Sequence, residues 1–283
     1  MKGHTHALTG AAAWLTLTVD NTTLAAAAHW HLIPSTTTTV ALSGAVLCAG
    51  AALAPDADHP DGMIGHSLWP VSQPLCRGVA AISGGHRHAT HSLVGVAALY
   101  GLALLAVRAP ATIVYGRPTV LAAAAIAVLL TAFASKALGL SRELGRVGRR
   151  QGAFGSVWNG ALSSALGPWL LALGTAGLAS WHLGYHWDWL PLCAAIGAAT
   201  HVLGDALTTE GVPLLWPLNP APPRWLHRTP IRNLWKSNGY VGFPVLGHTT
   251  SFRESVFATL VALYVAYLLA AEGAASYLHH SLY

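Results

Sequence analysis

Histidines and aspartates recur in four short clusters whose side chains are suited to binding a divalent metal ion. Neutral imidazoles and carboxylates are common ligands of zinc and related metals, which activate water for hydrolysis. The four clusters are Gly3–His6, Pro55–Asp61, Gly84–Ser92 and His201–Asp205. The chain contains 16 histidines against 15 lysines and arginines. Either many of these rings are solvated in loops, or several converge on one metal site.

The first two clusters offer a histidine and a pair of carboxylates. His6 precedes the first apolar run, where a solvated tail is the alternative. Asp56 and Asp58 point to the same side if their segment is extended, a geometry that the flanking prolines favour. Close carboxylates repel unless a cation or a shared proton lies between them, so this pair is either a ligand pair or a solvated turn. The adjacent His59 is predicted to be an outer-shell group or a general base.

The third cluster places three imidazoles around an arginine at the start of an apolar run. Three neighbouring rings cannot all be charged cheaply near a bilayer, so we expect neutral ligands here. His88 and His91 share a face if the helix has begun, while His86 lies on the approaching loop. Arg87 is predicted to hold a phosphate or an oxyanion. An interfacial basic patch is the alternative.

The fourth cluster lies within an apolar run. His201 and Asp205 are four residues apart and stack on one helix face. Ionisable residues inside a membrane span are functional candidates, because an unpaired buried carboxylate is costly; a structural His–Asp hydrogen bond is the alternative. Glu254, at the start of the last apolar run, is a further catalytic candidate, or a carboxylate stabilised by the dipole of its helix.

The elements that must position these clusters are membrane helices. The sequence is 53% hydrophobic and only 9% charged, whereas soluble domains carry about 25% charged residues. This composition excludes a soluble enzyme, a disordered chain and an ordinary nucleic-acid-binding protein. We predict an all-α, polytopic membrane protein that forms a single domain over residues 1–283. Apolar runs predict six to seven spans, at about 10–30, 36–54, 92–108, 118–140, 161–180, 189–208 and 254–272.

The distribution of positive charge predicts how these spans are oriented. The three long polar segments, 55–91, 141–160 and 209–253, lie on the same side as the N-terminus if the spans are correct. Of the 15 lysines and arginines, all but Arg108 and Arg117 lie on that side. Because lysine and arginine accumulate in cytoplasmic loops, we predict that this face lies on the cytoplasmic side of a bacterial-type inner membrane. All four clusters then open onto one membrane face.

The first apolar run is the weakest of the seven. It is interrupted by Asp20 and Asn21, so residues 10–30 either span the bilayer or lie in its surface. Residues 1–27 also have the outline of a signal peptide, with Lys2 ahead of an apolar stretch. The polar interruption argues against that alternative, and cleavage there would remove His6.

These motifs, in this order, resemble those of the YdjM-type family of inner-membrane metal-dependent hydrolases. The motifs are His6, Pro55-Asp56-x-Asp58-His59-Pro60, His86-Arg87-x-x-Thr90-His91-Ser92 and His201-x-x-x-Asp205-x-x-Thr208-x-x-Gly211-Val212-Pro213, with Glu254 near the last span. The resemblance covers roughly residues 1–220 and implies metal-dependent hydrolysis. His88 stands where the family usually has glycine, which leaves the choice of ligand among the three neighbouring histidines open. The His-x-x-x-Asp element is also weakly similar to zinc-dependent phospholipase C enzymes.

The leading hypothesis is a membrane-bound, metal-dependent hydrolase whose substrate is a lipid or a lipid-phosphate ester. The expected metal is zinc, with manganese and iron as alternatives. The predicted ligands are His6, Asp56, Asp58, His86, His91, His201 and Asp205. Two alternatives are a transporter for divalent metal ions or protons, with Asp20 as its main candidate at depth, and a structural membrane protein whose histidines join helices. The substrate, the number of metals and the oligomeric state stay open.

Overall fold

A computed structural model describes residues 1–19, 37–114, 116–140, 161–184, 186–229 and 234–282. Most of the described chain is helical. Its eight α-helices are α1 (Gly3–Thr18), α2 (Thr38–Ala51), α3 (Ser72–Ser83), α4 (Leu93–Val107), α5 (Leu121–Leu138), α6 (Ala161–Leu183), α7 (Leu190–Ala206) and α8 (Phe252–Leu282). Short 3₁₀ turns follow α2 at Ala54–Asp58, precede α4 at Ala89–His91, and occur at Ile64–His66 and Arg224–Arg228.

Within the described ranges, three helices are long and apolar enough to cross a membrane. They are α2 continued through its 3₁₀ turn (Thr38–Asp58), α5 (Leu121–Leu138) and α8 (Phe252–Tyr277). Two shorter apolar helices, α4 and α7, coincide with two further predicted runs. The chain therefore has the helices of a membrane protein, while the full set of seven spans stays a prediction.

The structure also differs from the sequence-based expectation at several elements. The first helix begins at Gly3, not near residue 10, and the second half of the predicted span 10–30 lies outside the described residues. The amphipathic helix α3 forms within 55–91, which was expected to be loop. The turn near 109–117 contains an antiparallel hairpin of β1 (Thr112–Val114) and β2 (Arg117–Thr119). The fold is thus mostly helical rather than strictly all-α.

Helix α2 lies at the centre of the described bundle, in contact with α1, α5 and α7. Glycines allow these backbones to approach closely. A Cβ atom on Gly50 would lie 1.9 Å from the Leu130 carbonyl oxygen of α5, and one on Gly197 would lie 2.6 Å from the Cys48 carbonyl oxygen of α2. Membrane helices commonly pack through small residues in this way, because van der Waals contact replaces the hydrophobic effect between them.

Substitution of Gly50 is therefore expected to destabilise the bundle. The Gly50→Ala variant should lower the free energy of unfolding by at least about 1–3 kcal/mol, because its methyl group overlaps the α5 backbone. Thermal unfolding of the purified protein in one detergent would measure this. The matched control is Gly101→Ala in α4, where a Cβ meets no atom within 4 Å; its melting temperature should be unchanged or higher. Equal melting temperatures for the two variants would contradict this packing.

The ends of the helices bring the predicted clusters to one end of the bundle. His6 lies in α1 near its start, Asp56 and Asp58 lie just after α2, and His91 lies just before α4. The segment after α7 covers this end. In this segment, the Phe243 N–H donates a hydrogen bond to the Ala206 carbonyl at the end of α7. The Leu214 carbonyl accepts a hydrogen bond from the Leu93 N–H at the start of α4.

Candidate metal centre

Side chains from all four clusters meet in one buried group. His6, Asp58, His91, His201 and Asp205 are each at most 2% exposed. Burying polar and charged side chains is costly unless they are hydrogen-bonded or paired. The contacts within the group therefore decide what it can do.

The hydrogen bond of one ring nitrogen fixes the protonation of His201. Its Nδ1 lies 2.8 Å from the backbone carbonyl oxygen of Ala52. Because a carbonyl only accepts, Nδ1 carries the proton and donates it. The Nε2 atom of His201 then presents a lone pair to the centre of the cluster. This is the second-sphere arrangement that orients histidine ligands in metal sites.

His91, like His201, has its Nδ1 atom bonded outside the centre of the cluster and its Nε2 atom facing inward. Its Nδ1 lies 3.0 Å from the hydroxyl of Thr90 and 3.4 Å from Oδ2 of Asp58. Its Nε2 points inward, 3.1 Å from Nε2 of His201 and 3.5 Å from Oδ1 of Asp56. Burial lowers the pKa of His91, but its hydrogen bonds to the two carboxylates outweigh that effect and raise the pKa to about 9. The cluster thus favours a positive charge at this point.

Asp205 joins the two histidines to α1. Its Oδ1 lies 3.2 Å from His6 Nε2, and its Oδ2 lies 3.8 Å from Nε2 of both His91 and His201. The His6 ring stacks on the His201 ring with centroids 3.8 Å apart. The amine of Met1 also contacts the Asp205 carboxylate. Nδ1 of His6 is buried and has no hydrogen-bond partner among the described residues.

The two carboxylates of the second cluster, Asp56 and Asp58, do not lie on one side. They would do so in an extended segment. Residues Ala54–Asp58 form a 3₁₀ helix with Pro55 in its first turn, where the fixed φ of proline suits a helix start. Asp56 faces the Nε2 atoms of His91 and His201, at 3.5 and 3.7 Å. Asp58 instead faces the loop before α4. The segment is therefore not extended, and the condition under which both carboxylates would share one side is not met.

Asp58 is enclosed by hydrogen-bond donors. Its carboxylate accepts hydrogen bonds from Nδ1 of His86 at 2.8 Å, from the backbone N–H of Arg87 at 3.0 Å and from the hydroxyl of Thr90 at 2.6 Å. These donors occupy both oxygens of the carboxylate. Asp58 thereby orients His86 and His91 from behind, the usual task of an outer-shell carboxylate.

Arg87 lies at the edge of the cluster with a left-handed backbone, at φ 60°. Its guanidinium pairs with Asp205 at 3.4 Å and with the exposed carboxylate of Glu210. Its carbonyl accepts the hydroxyl hydrogen of Tyr240 at 3.0 Å. The motifs contained Thr90, but the contacts of Glu210 and Tyr240 were missed, because no local pattern marks contacts from so distant a segment.

The remaining predicted residues lie around the cluster rather than in it. His59 is exposed, with its ring 5.2 Å from the ring of His86. Glu254 is buried, but its carboxylate accepts the backbone N–H groups of Lys2 and Thr250 and the hydroxyl of Thr5. Glu254 therefore ties the start of α8 to the start of α1, which carries His6. The structure does not bring it into contact with the other predicted ligands.

The donor set fits a divalent metal ion. Two groups each offer three ligand atoms within 4.8 Å of one another: His6, His201 and Asp205 in one, and Asp56, His86 and His91 in the other. The two groups adjoin where the Nε2 atoms of His91 and His201 lie 3.1 Å apart. Nδ1 of His6 is buried and has no hydrogen-bond partner among the described residues, so it is available as a further ligand atom.

Long apolar helices around a buried histidine–aspartate cluster define a helical membrane protein with a potential metal site. The chain belongs to the YdjM inner membrane protein family, which it matches over residues 1–276. This match confirms the resemblance drawn from the ordered motifs and extends it to nearly the whole chain. Searches of curated proteins and of solved structures give no significant match.

Proposed function

We propose that the protein is a metal-dependent hydrolase that acts at the cytoplasmic face of the inner membrane on a lipid or lipid-phosphate ester. One observation carries the proposal: the Nε2 atoms of His91 and His201 face each other at 3.1 Å, beside Asp56 and Asp205. With Nδ1 of His201 committed to a carbonyl, its Nε2 lone pair faces Nε2 of His91, and this contact is stable only with a proton or a cation beside the two nitrogens.

A metal ion satisfies this arrangement with the residues present. His6, His201 and Asp205 would hold one ion, and Asp56, His86 and His91 would hold a second. Mixed imidazole and carboxylate donors suit zinc best, with manganese or iron as alternatives. The ion would supply an acidified water and a Lewis acid for the phosphoryl or acyl oxygen of the substrate.

The surrounding side chains supply binding and proton transfer. Arg87 lies at the exposed edge of the cluster, where its guanidinium can exchange the solvent-exposed Glu210 for an anionic substrate oxygen. His59 is exposed beside the cluster, so it can carry protons between the cluster and water. Asp58 holds His86 and His91 in position through its hydrogen bonds.

The alternatives receive less support from the described residues. A transport path needs ionisable groups through the depth of the bilayer. In the described ranges, the buried histidines and carboxylates are those of the cluster and Glu254, at one end of the bundle. Asp20, the predicted candidate at depth, lies outside those ranges. A purely structural role accounts for the His91–His201 contact as a hydrogen bond, but it leaves the buried Nδ1 of His6 without a partner among the described residues.

Hydrolysis is tested with metal-loaded protein in nanodiscs that contain phosphatidylglycerol, phosphatidylethanolamine and isoprenyl phosphates. Mass spectrometry should detect product from at least one lipid with the wild type and none with His201→Ala, which loses a central donor. The matched control is His66→Ala, which removes an exposed ring outside the cluster and should leave turnover unchanged. If the wild type leaves every ester and phosphodiester lipid intact, the hydrolase proposal fails.

A further inference from the structure

An apolar groove of about 300 Å³ opens on the surface of the bundle between α3 and α4. Val79 and Ile82 of α3 form one wall, and Val94, Ala98 and Leu102 of α4 form the other. Ile82 is 83% exposed and Leu102 is 57% exposed. In water such a surface would be costly, but a surface that faces the hydrocarbon of a bilayer carries no such cost.

The floor of the groove is shared with the metal-site cluster. It includes Ala54 and Pro55, which directly precede Asp56, and Ala89 and Thr90, which directly precede His91. Thr90 contributes to both sides, because it lines the groove and its hydroxyl donates to Asp58 at 2.6 Å. The groove and the cluster therefore lie on either side of the same two 3₁₀ turns, Ala54–Asp58 and Ala89–His91.

The groove also runs in the direction that a lipid chain takes. Its wall on α4 begins at Val94, beside the cluster, and continues to Leu102, which is about 12 Å along the helix axis. Since α4 is an apolar helix that starts at the cluster, this path leads from the polar end of the bundle toward the apolar interior of the membrane.

We propose that the groove holds a hydrocarbon chain of a phosphate-bearing lipid, whose polar head then lies at the cluster beside Arg87. This assignment rests on the proposed function, since it names the class of substrate for the same site. The chain would fix the depth of the lipid, so that only the head group and its ester bonds reach the ligands. A soluble phosphate ester lacks this anchor and should bind weakly.

Native mass spectrometry of the detergent-purified protein tests the groove without requiring turnover. The probe is dioleoyl phosphatidylglycerol, added to wild type, Ala98→Trp and Ala97→Trp. Ala97 and Ala98 are neighbouring exposed alanines of α4, but only Ala98 lines the groove. Wild type and Ala97→Trp should retain one lipid through detergent removal, and Ala98→Trp should lose it because the indole fills the groove.

Further probes identify the source of the chain. Farnesyl phosphate retained in place of the diacyl lipid would indicate an isoprenoid, and retention of hexadecanol equal to that of hexadecyl phosphate would overturn the requirement for a phosphate head. If Ala98→Trp does not fold by size-exclusion profile, Leu102→Trp replaces it, with the exposed Leu105→Trp as its control. Equal lipid retention in the groove variant and its control overturns the proposal.

The outcome is separable from that of the hydrolase test. Selective loss of lipid in Ala98→Trp without any detectable hydrolysis would support the groove and refute the reaction. Hydrolysis with unchanged lipid retention would do the reverse.

Discussion

Replacing Asp205 with asparagine is expected to abolish stoichiometric metal binding. Asp205 contacts His6, His91 and His201 within 3.8 Å and is the buried carboxylate that joins α1 to α7. Asparagine keeps the shape of the side chain but removes its charge, so the cluster loses its main compensation for a divalent cation. The loss should exceed the roughly 10–100-fold in affinity that removal of an outer-shell partner costs. Metal content by mass spectrometry, on protein with an unchanged size-exclusion profile, is the measurement.

The matched control removes the other carboxylate partner of Arg87. Glu210 pairs with the same guanidinium, but its side chain is 59% exposed. The Glu210→Gln variant should therefore retain wild-type metal content. If Asp205→Asn keeps a stoichiometric ion while remaining folded, Asp205 is not a ligand, and the cluster must be interpreted as a structural hydrogen-bond network.

The convergence of the four clusters could be expected from the sequence, because it depends on patterns that are local and regular. Apolar runs predict where helices lie, and a chain predicted to cross the membrane repeatedly would bring every second helix end to the same face. His201 and Asp205 stack because their spacing matches one helical turn. The residues that meet in the structure are accordingly among those that the sequence nominated, including His6 from the far end of the chain.

The sequence did not predict which of these residues are placed as ligands and which support the ligands through hydrogen bonds. Asp56 and Asp58 have the same chemistry and are two residues apart, so only the 3₁₀ turn sends them to opposite nitrogens of the His91 ring. The contact of Tyr240 with the Arg87 carbonyl depends on how the segment after α7 folds back. Glu254 looked equally suited to catalysis and to a helix end, and the donors around it place it at the start of α1.

The distinction between the two aspartates leads to the second prediction. Substitution of Asp58 by asparagine is expected to weaken metal binding about 10–100-fold while leaving the stoichiometry at saturation intact. Asp58 accepts hydrogen bonds from His86, Arg87 and Thr90. Its removal should loosen the rings that present Nε2 without deleting a ligand. Competition for zinc with a chromophoric chelator measures the affinity directly.

Asp61→Asn is the matched control, because it makes the same change at an exposed carboxylate on the same loop. Its zinc affinity should equal that of the wild type. If Asp58→Asn loses the ion completely, as expected for Asp205→Asn, then Asp58 binds metal directly, and the original prediction of a carboxylate ligand pair is correct. If Asp58→Asn binds zinc as tightly as Asp61→Asn does, the hydrogen bonds to Asp58 do not tune the centre. Only the intermediate result, weaker affinity with full stoichiometry, assigns Asp58 to the positioning of His86 and His91.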